Sequence, residues 1–127
     1  MSRRLHALAL AAVLAAPAVA LGQNAAPQAR EFMLRGPGVG MTCAAWLELR
    51  AAAEGMFAVQ KREQYRSVVA WGLGYLSGAA RYDEELDPLR RMDEEATVAW
   101  LAAHCRTQPA QEFRLALEAF IEAHPRR

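Results

Sequence analysis

The chain has 127 residues, 54% of them hydrophobic, and its 15 basic and 14 acidic side chains leave a formal net charge of +1. A chain of this length builds one small domain with a limited core. The balance of charge excludes the strongly basic composition of a typical nucleic-acid-binding protein. Function therefore has to be sought in local patterns of residues.

The first 22 residues have the layout of a secretory signal peptide. Two arginines precede an apolar run over residues 5–16, and the small residues that follow suit a signal peptidase cutting after Ala20 or after Gly22. The apolar run is shorter than the ~20 residues that a membrane-spanning helix needs. We therefore predict a protein exported to the periplasm without stable membrane insertion after cleavage, the alternative being an uncleaved anchor.

Two cysteines, Cys43 and Cys105, follow the signal region. An even pair of cysteines in an exported chain usually forms a disulfide, which over this sequence separation stabilises a domain by about 4 kcal/mol. A free nucleophilic thiol and half of a metal site are the alternatives. Each needs partners, and the spacing to His104 and His124 matches no familiar zinc pattern. We predict no metal and no cofactor.

Residues 23–40 are rich in Gln, Ala, Pro and Gly, which predicts a flexible N-terminal tail that ends in a turn over residues 36–38. A helical domain is predicted over residues 41–125. Its first helix begins after Thr42, which is a suitable N-cap, and ends near Gly55.

The second predicted helix, residues 59–81, contains the unusual segment WGLGYLSG at positions 71–78. A glycine in a helix interior costs up to about 1 kcal/mol relative to alanine. A stripe of small residues through Ala70, Gly74 and Gly78 would let a neighbouring helix approach closely, so we predict helix packing there. A phosphate-binding loop, the alternative, needs a preceding strand that the pattern does not provide.

Half of the acidic residues of the chain fall within positions 83–95. The plain interpretation is a solvated link, interrupted by Pro88, followed by the acidic first turn of a helix whose N-cap is Asp93. A calcium loop would need a central glycine, which is missing. The alternative is an acidic surface for a partner. The predicted partner-binding residues are Trp71, Tyr75 and Trp100 together with Asp83, Glu84, Glu85 and Asp87.

The third predicted helix covers residues 94–106. A fourth helix is predicted to follow, with Pro109 in its first turn. The apolar residues of the fourth helix recur at helical spacing, and they are Phe113, Ala116, Leu117, Phe120 and Ile121. No segment shows a convincing alternation of period two. The predicted fold class is therefore all-α, a small bundle of about four helices with one disulfide.

No catalytic constellation is evident. Ser67 and Ser77 lie inside the glycine-bearing helix, and His104 precedes a core position, which favours a structural role over that of a base. We predict no enzymatic activity.

The cysteine at position 43, the Trp-x-x-Gly-Tyr of WGLGYLSG and the Cys-x-x-x-Pro from Cys105 to Pro109 occur in an order that resembles the HdeA/HdeB-type family of small periplasmic proteins. The resemblance implies an all-helical domain with one disulfide, Cys43 to Cys105. For the acid-stress members it implies a chaperone that loosens at low pH and holds unfolded clients. The GYLSG segment and the closing helix are also similar to the helical amidase-immunity proteins of bacterial type VI secretion.

We therefore expect an exported, non-catalytic binding protein. Its partners would be unfolded client proteins or, in the alternative, one secreted cell-wall amidase toxin that it neutralises, with no nucleic acid involved. A homodimer is a further option for its assembly.

Overall fold

A computed structural model describes residues 33–125, and this part of the chain forms four α-helices with short connections. They are α1 (Cys43–Ala53), α2 (Val59–Tyr82), α3 (Glu94–Thr107) and α4 (Phe113–Ala123). Two isolated β-bridges are the only extended pairing among the described residues. The predicted all-α class is confirmed. The predicted signal peptide and residues 23–32 of the predicted tail lie outside the described residues.

Local sequence sets the starts of two helices as predicted. The Oγ1 of Thr42 accepts a hydrogen bond from the backbone N of Ala45 at 3.2 Å, and the Oδ1 of Asp93 accepts one from the backbone N of Ala96 at 2.8 Å. Each cap satisfies one of the N–H groups that a helix leaves unpaired in its first turn.

The predicted start of the fourth helix at Pro109 is wrong, because α4 begins at Phe113. The carbonyl oxygen of Pro109 accepts a hydrogen bond from the backbone N of Ala44 at 2.9 Å, and that of Gln111 accepts one from the backbone N of Cys43 at 2.8 Å. These carbonyl groups pair with the free N–H groups at the start of α1, so residues 109–111 form a turn instead of a first helical turn.

The core lies where α1 packs against the other three helices. Trp46 is fully buried and stacks on Phe113 with ring centroids 4.6 Å apart. Cys43 and Cys105 are also fully buried and form a disulfide, which joins the start of α1 to the end of α3. The predicted disulfide is confirmed.

One face of α2 contributes to this core through Val68, Val69, Gly72 and Leu76, which recur at helical spacing. Gly72 lies against α4: a Cβ at this position would be 3.4 Å from the Cδ2 of Leu117. On the opposite side of the same helix, Ala70 and Gly74 are exposed.

Candidate binding groove

An open groove with a volume of about 1010 Å³ runs between the C-terminal half of α2, one side of α4 and the segment that precedes α1. From α2 it is lined by Gly74, Tyr75, Gly78, Ala79 and Tyr82. Its second wall consists of Glu112, Arg114, Glu118 and Ile121, and its third of Leu34, Val39 and Gly40. We call this surface the α2–α4 groove.

The floor of the groove corrects the prediction that a neighbouring helix packs along Ala70, Gly74 and Gly78. A Cβ at Gly74 or Gly78 would meet no other atom within 4 Å, and Ala70 is exposed. Gly72 is the buried glycine of this helix, and a Cβ added there would be in ordinary van der Waals contact with Leu117. The physical reason is that α1 and α4 cover the face of α2 that carries the larger apolar side chains, because burying those removes more apolar surface from water.

A polar network forms one wall of the groove. The hydroxyl of Tyr75 donates a hydrogen bond to the Oε1 of Glu118 at 3.1 Å, and the same carboxylate accepts a short hydrogen bond from the guanidinium of Arg114. Burial, and then the hydrogen bond to Glu118, raise the pKa of Tyr75 above its ordinary value of 10.0. The tyrosine therefore stays a neutral donor at physiological pH.

The third wall is backbone that lies directly on the ring of Trp71. The indole Nε1 donates a hydrogen bond to the carbonyl oxygen of Arg35 at 3.1 Å. A Cβ would lie 2.2 Å from this ring at Gly36 and 2.3 Å from it at Gly38, so only glycine allows the approach. The described part of the predicted tail therefore packs on α2, and the predicted turn over residues 36–38 is present as a turn over residues 37–40.

The predicted partner-binding residues fall in three places. Tyr75 lines the groove, whereas Trp71 is half-buried beneath its third wall. Asp83, Glu84 and Glu85 are exposed in the link directly after Tyr82, the last groove residue of α2. The rest of the set lies elsewhere.

Asp87 lines a separate cleft of about 390 Å³, together with Arg90, Arg91 and the end of α4. Trp100 is half-buried on α3, where it stacks on His104 with ring centroids 5.2 Å apart and meets the edge of Phe120. His104 also contacts Gln111 through its Nε2 at 2.8 Å, which fits the predicted structural role.

Sequence reasoning missed two further sets of exposed residues. Leu34 and Val39 form the rim of the third wall, and a signal for them was present in the form of apolar residues within a Gly- and Pro-rich stretch. The α1–α2 connection exposes Met56 and Phe57, where a polar turn would be typical.

The described residues show neither a cluster of metal-ligating side chains nor a membrane-spanning helix. Within residues 33–125, no three side chains of the types that ligate metals lie where they could hold an ion. In the same range, no helix has the length and apolar character needed to cross a membrane.

Comparisons with protein-family models, curated proteins and solved structures found no match to the chain.

Proposed function

We propose that the chain is an exported, non-catalytic binding protein that holds an apolar segment of another polypeptide in the α2–α4 groove. The observation that carries this proposal is the open floor at Gly74 and Gly78. Each of these glycines costs the helix up to about 1 kcal/mol, and no neighbour within the described fold uses the space that they leave. The exposed side chains of Leu34 and Val39 supply an apolar rim for a partner.

Export to the periplasm is supported by two features of the chain. The first 22 residues have the layout of a signal peptide. The disulfide between Cys43 and Cys105 is of the kind that persists in oxidising compartments.

Within this role, we favour a holdase of the HdeA/HdeB type. Met33, Met56 and Phe57 are exposed in the folded protein, and methionine side chains adapt to partners of varied shape. Strong acid removes the negative charge of carboxylates in general while arginines keep their positive charge. The resulting repulsion between arginines would loosen the domain and expose more apolar surface.

The test is suppression of client aggregation at about pH 2–3 and at neutral pH. The oxidised protein should suppress aggregation of unrelated clients in acid and not at neutral pH. Gly74→Arg, which fills the floor of the groove, should weaken this activity, whereas Ala99→Asp on the exposed surface of α3 should not. Absence of suppression in acid would remove the chaperone function.

A second candidate is an immunity protein that neutralises a secreted cell-wall amidase. The observation in its favour is the network of Tyr75, Glu118 and Arg114, because fixed hydrogen-bonding groups select one partner over others. The expected result is a tight one-to-one complex at neutral pH with an amidase encoded beside this gene, weakened by Tyr75→Ala. An amidase that stays fully active in the presence of this protein would contradict it.

A further inference from the structure

The fold exposes an apolar loop as well as an apolar groove. Met56, Phe57 and Val59 lie in or beside the α1–α2 connection and are 83%, 91% and 63% exposed. We call these three residues the apolar loop. Three large apolar side chains within four positions, almost fully in water, are typical of a site that another surface covers.

The loop is held in a defined conformation. The guanidinium of Arg62 donates a hydrogen bond to the carbonyl oxygen of Gly55 at 2.9 Å, and the backbone N of Ala58 donates to the same carbonyl at 3.1 Å. A loop that is ordered before it binds loses less conformational entropy on association. Its side chains are therefore presented ready for a concave partner.

The charges around the loop and the groove are opposite. Residues 50–66, the sequence window that contains the loop, carry four basic and two acidic side chains, of which Arg66 and Glu63 form an ion pair. The groove is lined by two acidic side chains, Glu112 and Glu118, against one arginine. Three acidic residues, 83–85, follow it directly, against two neighbouring arginines, Arg35 and Arg81, so the excess charge is negative. Opposite charge around two apolar surfaces steers their association.

The loop of one chain cannot reach its own groove. The loop ends at Val59, the first residue of α2, whereas the groove begins at Gly74 on the same helix. Fifteen residues of α-helix separate these positions by about 22 Å. A contact between the loop and a groove therefore needs two molecules.

We propose that the apolar loop of one copy binds in the α2–α4 groove of a second copy, with Phe57 as the central buried side chain. This inference rests on the proposed function in one respect, since both place a polypeptide segment in the same groove. The contact joins two different surfaces, so each added copy leaves one groove and one loop unoccupied. Such a head-to-tail contact builds open chains or closed rings of copies.

Sedimentation velocity of the oxidised protein over a range of concentrations tests the proposal. The average mass should rise with concentration and should fall when salt is added, because the charges are exposed. Phe57→Asp, which adds an acidic group to the loop, and Gly74→Arg, which fills the groove, should each weaken association on the order of tenfold or more. Ala99→Asp is the matched control, and it should associate like the unmodified protein.

Mixing the two variants gives the sharpest outcome. Phe57→Asp retains a groove and Gly74→Arg retains a loop, so an equimolar mixture should form one-to-one dimers and nothing larger. A loop-to-loop contact predicts no complex between the two variants and normal association of Gly74→Arg with itself. Phe57 is almost fully exposed, and a Cβ added at Gly74 meets nothing within 4 Å and leads into an open groove, so circular dichroism should show both variants folded.

Three results would overturn the proposal: a monomer at every concentration, Phe57→Asp associating as strongly as the unmodified protein, or no complex in the mixture. The outcome is separable from that of the proposed function. Suppression of client aggregation by a protein that does not self-associate would leave the groove as a client site. Self-association without any client or toxin binding would leave only the contact between copies.

Discussion

The glycines on the two sides of α2 have different surroundings. On the packed side, Gly72 is buried, a Cβ added to it would lie 3.4 Å from Leu117, and its neighbours Val68 and Leu76 are fully buried. On the open side, a Cβ added at Gly74 or Gly78 would meet nothing within 4 Å outside the adjoining helix backbone, and both glycines line the groove. The same residue type thus lies once in the core and twice on an open surface of one helix.

This comparison separates stability from binding. Substitutions on the packed side should lower the free energy of unfolding, whereas those on the open side should leave it unchanged or raise it while altering the surface that a partner meets.

The largest effect on the free energy of unfolding is expected from removing the disulfide between Cys43 and Cys105. Cys43→Ala with Cys105→Ala should lower the free energy of unfolding by about 4 kcal/mol, because 62 residues separate the two cysteines and the cross-link restricts the unfolded chain. Urea unfolding followed by circular dichroism measures the change. Reduction of the unmodified protein should give a similar loss, and a loss below about 1 kcal/mol would contradict the prediction.

Gly72→Val should lower the free energy of unfolding by about 1–3 kcal/mol, since its γ-carbons would press into a site that already brings Leu117 within 3.4 Å of a Cβ. The same substitution at Gly78, Gly78→Val, is the control because that site is open. Chemical denaturation of both variants gives the comparison. Equal losses at the two positions would refute the distinction between the two sides.

Gly74→Ala and Gly78→Ala should each raise the free energy of unfolding by up to about 1 kcal/mol. Alanine restricts the unfolded chain and favours the helix, and at both positions its methyl group meets no other atom. Thermal unfolding would show a higher midpoint for each variant. A lower midpoint would mean that something occupies this face after all.

The smallest effect concerns alkaline pH. Since the folded-state pKa of Tyr75 lies above the ordinary value of 10.0, the folded state holds this proton more tightly than the unfolded state does. Its contribution to stability is complete below pH 10.0 and is lost as the pH rises through the folded-state pKa. Urea midpoints at about pH 9 and about pH 11 should therefore differ less for Tyr75→Phe than for the unmodified protein.

Tyr65 serves as a comparison for Tyr75, because burial raises the pKa of Tyr65 as well. Tyr65 stacks on Trp46 beside the core, away from the groove. Its contribution should persist in Tyr75→Phe, so some loss of stability at alkaline pH should remain. A complete loss of pH dependence would show that Tyr75 acts alone.

The helices and the disulfide could be predicted because their signals are local or covalent. The caps at Thr42 and Asp93 and the apolar spacing along α2 depend on neighbours within a few residues. The pairing of Cys43 with Cys105 needed only an even count of cysteines after a segment with the layout of a signal peptide. The start of α4 could not be found in this way, because the turn at Pro109 serves N–H groups of α1 that lie far away in sequence.

The groove could not be predicted because its walls come from three separate segments. The pattern through Gly74 and Gly78 was visible, but it does not reveal whether a helix or empty space lies opposite. That answer depends on which face of α2 the other helices cover. Likewise, the Gly-rich stretch at residues 36–38 indicated a turn without indicating that Trp71 lies beneath it.

The backbone that lies on Trp71 allows occupancy of the groove to be measured by amide hydrogen exchange. Local opening of residues 33–41 would remove Leu34 and Val39 from the groove, so a ligand that contacts them must oppose this opening. The amide hydrogens of Val39 and Met41, which bond to the carbonyl oxygens of Gly36 and Gly38, then exchange with solvent more slowly as the groove fills. Occupancy by any partner can thus be followed at two backbone sites without knowing its identity.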